Sequence, residues 1–205
     1  MSKGGFMKDA FVLFGITLVA GALLGGVYEM TKAPIDAANL AAKEAAYRTV
    51  FPDAASFDAG DLADKIPAAN EEIAGLGYGK VSVDEAVTAN DASGAAAGYV
   101  VTATSNDGFG GAITVSVGIQ SDGTVNGIEF LTLAETAGLG MRANTDAFKD
   151  QFKDKNVDKF EYTKTGATAD DQIDALSGAT ITTNAMTNGV NAGLCAFQYE
   201  KGGNQ

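Results

Sequence analysis

From Ala10 to Tyr28 the chain runs AFVLFGITLVAGALLGGVY, without one charged side chain. At a rise of 1.5 Å per residue, such a run reaches about 29 Å, close to the roughly 30 Å of a bilayer's hydrocarbon core. It predicts one transmembrane helix over residues 10–28. Lys3 and Lys8 precede the run with Asp9 as the one acid, whereas Glu29 and Lys32 behind it cancel. The positive-inside bias therefore predicts a single-pass cell-membrane protein with residues 1–9 in the cytoplasm and its bulk outside. Tyr28 falls where interfacial aromatic residues gather. A cleaved signal peptide is the competing reading. It fits less well, because a signal's apolar stretch spans about 7–15 residues, and Thr31-Lys32-Ala33 makes a weak cleavage site.

Charge and missing residue types narrow the chemistry. A hydrophobic fraction of 46% and a charged fraction of 20% suit a folded chain. The net charge of -12 argues against nucleic acid, whose phosphates require a basic face. The chain contains no histidine, which excludes a Ser-His-Asp triad, a histidine-ligated zinc and a histidine-held haem. Cys195 is the single cysteine, so neither an internal disulfide nor a self-held iron–sulfur cluster can form. Its place in a predicted helix reads as a buried, inert thiol. No catalytic side-chain set and no resident metal are predicted. Redox chemistry here requires an organic cofactor.

Beyond the membrane run, Pro34 suits the first position of a helix. Ile35, Ala38, Ala42, Ala45, Ala46, Thr49 and Val50 share one face, and Pro52 ends the pattern. Residues 29–52 thus read as a stem helix leading into an extracytoplasmic domain over 53–200. Residues 53–78 read as short helical pieces and loops. Strands begin near Lys80: Gly98–Thr104 is β-rich, and Ile113, Val115, Val117 and Ile119 alternate with small or polar residues. Ser121-Asp122-Gly123 signals a hairpin turn, and Gly127 in the following strand signals a bulge. Residues 148–160 read as helical or looped. Met186, Val190, Leu194 and Phe197 mark one face of a final helix over 184–199, and residues 201–205 form a tail. The fold class is α+β, a mainly antiparallel sheet with flanking helices.

Directly before that last helix stands Asp174-Ala-Leu-Ser177-Gly178-Ala179-Thr180-Ile-Thr182-Thr183-Asn184. A small-residue turn feeding a helix start leaves several N–H groups unpartnered, and the helix dipole adds positive charge, so a phosphate is favoured there. Taken alone, the same threonines and serine read most simply as an ordinary helix cap.

Asp174-x-x-Ser177-Gly178-Ala179-Thr180-x-Thr182 resembles the flavinylation motif of the FMN-binding domain family, in which the threonine closing Ser/Thr-Gly-Ala-Thr carries FMN through a phosphoester. Asn106-Asp-Gly108-Phe109-Gly110-Gly111-Ala-Ile113 resembles that family's aromatic-glycine entry to a strand. Glu135-Thr136-Ala137-Gly138-Leu139-Gly140 resembles its Glu-Thr-Pro-Gly-Leu-Gly loop, with alanine where proline is usual. The family includes the G subunits of Rnf-type ion-translocating complexes and the C subunits of sodium-pumping NADH:quinone reductases, and the compact chain favours the former. Thr165-Gly166-Ala167-Thr168 repeats the core of the motif. It has Tyr162 where the motif has its acid, and no apolar helix comes after it, so Thr180 is the expected attachment point.

The resemblance implies FMN bound covalently at Thr180, with Ser177, Gly178, Ala179 and Asp174 forming the attachment motif. Thr136, Gly138 and Leu139 are the implied ring contacts. Glu135 either orients its loop or is a solvated acid; Lys164 either meets the flavin or is a solvated lysine; Leu176 is a candidate to pack near the cofactor. Threonine is a poor nucleophile without a base, so the implied partners are a separate flavin transferase, the other subunits of a membrane redox complex, and lipid. The implied function is electron relay within a complex coupling ferredoxin/NAD redox exchange to Na+ or H+ movement. The reading from a different class is a membrane-anchored binding domain without redox chemistry.

Overall fold

The structure is a computed structural model that describes residues 3–202. Helix α1 spans Lys3–Val50 and contains Pro34. The proline does not start a new helix as its position suggests. It removes one hydrogen bond and crowds the carbonyl one turn back, but the alanine-rich sequence after it has high helix propensity and the helix continues. The chain divides into two units, residues 1–42 and residues 43–205. In the first, the apolar side chains of the predicted span, including Phe11, Leu18, Leu23 and Leu24, are all exposed. Among the described residues α1 is the one helix long and apolar enough to cross a membrane.

The second unit begins with the last two turns of α1. Tyr47, Val50, Phe51 and Ala54 are buried together with Ala89 and Val100. The helix stops before Pro52, as the sequence predicts. The Asn126 side-chain amide donates to the Val50 carbonyl at this end, and Lys43 pairs with Glu85.

Five antiparallel strands come next in simple order: β1 (Ser56–Ala59), β2 (Val81–Asn90), β3 (Ala96–Ser105), β4 (Ile113–Gln120) and β5 (Val125–Leu133). Helix α2 (Asp61–Gly75) lies between β1 and β2. The four-residue β1 and the 15-residue α2 replace the looser pieces expected over 53–78. The β4–β5 hairpin turns where expected, with Gly123 at φ 94° and the Asp122 carboxylate accepting the Thr124 N–H at 2.9 Å. Gly118 pairs with Gly127 but Ile119 pairs with Val125, so Asn126 is the extra residue of the bulge.

Alternation along the strands separates two layers. Val100 faces the end of α1, whereas Val101, Ala103, Val115 and Val117 face the main core. That core is closed by α4 (Thr180–Glu200), on which Met186, Val190, Leu194 and Phe197 are all buried. Gly189 and Gly193 bring α4 close to the sheet: a Cβ there would stand 3.2 Å from Val115 and 3.3 Å from Val117. Cys195 is buried, and burial pushes its thiol up to about 11. Between β5 and α4 come a 3-10 turn (Gly140–Asn144), the short α3 (Asp146–Lys149) and a parallel pair, β6 (Glu161–Thr163) with β7 (Gln172–Asp174). The buried Asn191 holds this region, accepting the Phe160 N–H at 2.7 Å and donating to its carbonyl at 2.9 Å. Lys201 and Gly202 form a turn; the rest of the predicted tail, 203–205, lies outside the described residues, as do Met1 and Ser2.

Candidate functional site

The start of α4 is one wall of a cleft of about 350 Å³, within the range of small-molecule sites. Thr180 is the first residue of the helix and half-buried. The capping position is Ala179, and no side chain caps it. The first-turn N–H groups therefore lack the usual serine or threonine partner. Gly178 precedes it at φ 79°, a conformation that penalises any other residue. The turn is held from within. The Ala179 N–H donates to the Leu176 carbonyl at 2.9 Å. The buried Thr183 hydroxyl accepts the Leu176 N–H at 3.1 Å and donates to the Ala179 carbonyl at 2.9 Å. Thr183 thereby braces the turn from inside the domain.

The second wall is the loop after β5. The Thr136 carbonyl accepts the Leu139 N–H at 3.1 Å and the Met141 N–H at 3.2 Å, with Gly138 at φ 76°. A positive φ at the third residue is the type II arrangement, whose second position suits proline. Ala137 occupies that second position. Glu135, Thr136, Leu139 and Gly140 line the cleft. The third wall is Phe109, 70% exposed on the glycine-rich loop before β4. Leu139 and Ile181 are likewise exposed, so apolar side chains rim a cleft lined by the start of α4, which no side chain caps.

Six predicted site residues thus meet in one cleft: Glu135, Thr136, Leu139, Gly178, Ala179 and Thr180. Gly138 shapes the loop, and Ser177 is exposed in the turn, without lining the cleft. Asp174 lies elsewhere: its carboxylate accepts the Ala167 N–H at 2.6 Å, in a separate polar cleft of about 580 Å³ beside Thr168. Leu176 is a core residue, and Lys164 is an exposed loop residue outside the Thr180 cleft. Phe109, Gly140, Ile181 and Thr182 line the cleft in addition to the predicted residues. Phe109 was signalled by its glycine-flanked motif. Ile181 could have been noticed as a large apolar residue off the buried face of α4.

Residues 108–194, which contain all three walls, match the model of the FMN-binding domain. The cleft thus lies within a segment that is similar to the FMN-binding domain. The G subunit of the Na(+)-translocating ferredoxin:NAD(+) oxidoreductase complex of Acetobacterium woodii is 31% identical over 193 residues, covering 93% of this chain and 91% of that one. The G subunit of the ion-translocating oxidoreductase complex of Methanosarcina acetivorans is 31% identical over 91% of this chain and 92% of its own. The G subunit of the proton-translocating ferredoxin:NAD(+) oxidoreductase complex of Clostridium ljungdahlii is 44% identical over 45% of this chain and 49% of its own. The chain belongs to the family of G subunits of ion-translocating oxidoreductase complexes.

Proposed function

We propose that this chain relays electrons as the G-type subunit of a membrane-bound, ion-translocating ferredoxin:NAD oxidoreductase complex, through FMN joined by a phosphoester to Thr180. The observation that carries the proposal is the uncapped start of α4. Its N–H groups and dipole suit a phosphate, and the neighbouring hydroxyl is that of Thr180. Phe109, Leu139 and Ile181 supply apolar surface for a flat ring at the same cleft. FMN supplies the electron-accepting chemistry that no side chain of this protein provides.

The chain's own part is to bind, orient and retain. Gly178 and Thr183 hold the turn that leads into Thr180. The Thr136–Leu139 turn positions the facing wall. A covalent tether keeps a ligand's effective concentration around millimolar without tight noncovalent binding. No histidine is present to activate the Thr180 hydroxyl, so a separate flavin transferase makes the bond, with Asp174 part of what it recognises. Residues 10–28 cross the lipid once, with the lysine-bearing N-terminus in the cytoplasm. That span holds no charge, so ion translocation belongs to partner subunits.

Intact-mass measurement tests the assignment. Protein from a host with a flavin transferase gains about 438 Da, the mass of FMN less water, as expected for a covalent modification. The increment disappears in Thr180→Ala. An unmodified wild-type protein from such a host refutes the proposal.

A further inference from the structure

Glu135 is the one ionisable side chain among the residues lining the Thr180 cleft. Its Oε1 is buried without a hydrogen-bond partner among the described residues, which leaves Oε2 as the accessible oxygen of the carboxylate. Two glycines leave room for the carboxylate. A Cβ on Gly108 would stand 3.0 Å from Oε1, and one on Gly140 would stand 2.8 Å from Oε2 and 2.7 Å from the Thr182 hydroxyl. Among the described residues no lysine or arginine forms an ion pair with it. Two other acids, Glu129 and Asp174, are partnered: Glu129 with Lys149 at 2.9 Å, and Asp174 with the Ala167 N–H.

A buried acceptor without a donor destabilises the fold, more so when it is charged. Fold stability gives no reason to keep such a group in a loop beyond the last strand of the large sheet. The accessible Oε2 of the same carboxylate can accept a donor that a ligand in the cleft brings. We propose, building on the FMN reading above, that Glu135 is a positioning residue which accepts a hydrogen bond from a ring N–H of the flavin and whose negative charge opposes electron uptake by that ring. The oxidised isoalloxazine offers one ring N–H donor. Two electrons, accompanied by two protons in the neutral product or one in the anionic product, convert it to the reduced ring. A carboxylate held beside the ring disfavours the anionic product, so it lowers the reduction potential. Removing the charge raises the potential.

The test is a dithionite titration of flavin-loaded full-length protein in detergent, comparing wild type with Glu135→Gln. The glutamine variant is expected to favour the reduced ring by about tenfold, which for a two-electron couple is a rise of about 30 mV. Asp170→Asn, an exposed acid of the other cleft, keeps the wild-type midpoint. Glu135→Asp, which keeps the charge but withdraws it by one methylene, moves the midpoint upward by less, and it carries the test if the glutamine variant does not load. Flavin loading is read separately by mass. Loaded variants with the wild-type midpoint overturn the role of Glu135, whereas a wild-type protein lacking the FMN mass overturns the underlying assignment.

Discussion

The chain contains the sequence Thr/Ser-Gly-Ala-Thr twice, over 165–168 and 177–180, and the fold treats the two copies oppositely. In both, the glycine takes a positive φ, 98° at Gly166 and 79° at Gly178. The difference lies in the structure that each final threonine enters. Thr180 opens a 21-residue helix with no side-chain cap. Thr168 sits on an exposed loop where Gln172 Oε1 accepts both its N–H, at 3.0 Å, and its hydroxyl, at 3.1 Å. One copy has unpartnered donors beside apolar walls. The other has already used its donors within a polar loop. Four residues can repeat by accident; a long helix anchored in the core behind them cannot. A short motif thus acquires chemical meaning from the element it launches.

This contrast is challenged most directly by removing each threonine in turn. Thr180→Ala is expected to abolish covalent flavin, while Thr168→Ala retains it, measured by intact mass and by colour that survives denaturation. Flavin lost from Thr168→Ala would overturn the choice. Next in size is Thr183→Val, which keeps the shape but strands the buried Leu176 N–H. It should cost about 1–3 kcal/mol in chemical denaturation, and no comparable loss should result from Thr163→Val, whose hydroxyl at the end of β6 bonds only to the exposed Thr165. Asp174→Ala frees the Ala167 N–H and is expected to lower the flavin-loaded fraction without emptying it; full loading would confine the acid's role to its own loop. The smallest effect belongs to the facing wall. Ala137→Pro should stabilise the domain by about 0.4–1 kcal/mol by restricting the unfolded chain, read as a small upward shift in melting temperature.

Much of the scaffold could be read from periodicity. Alternation at Ile113, Val115, Val117 and Ile119, and the one-sided face of Met186, Val190, Leu194 and Phe197, each match a strand or helix repeat and are buried as those repeats require. Where the repeat is short or interrupted the reading fails. The four-residue β1 contains too few positions to show a period, and α2 carries Pro67 inside it. The parallel β6–β7 pair has three residues per strand. The site divides the same way. Its small-residue turns were visible because glycine marks them. The meeting of Glu135–Leu139 with Gly178–Thr182 depends on tertiary packing between segments far apart in the chain, which no local pattern encodes. Asp174 shows the converse, since closeness in sequence to Thr180 does not bring its side chain into the same cleft.

The tight seating of α4 at Gly189 and Gly193 has a mechanical consequence. A rod clamped against the sheet along its middle cannot slide or roll without displacing Val115 and Val117, and close-packed interiors resist such displacement. Its free tip is the residue that would bear the load. Motion there is reduced to the few torsions of one threonine side chain and whatever is attached to it, so the reach of an attached group becomes a matter of bond rotations rather than of domain breathing.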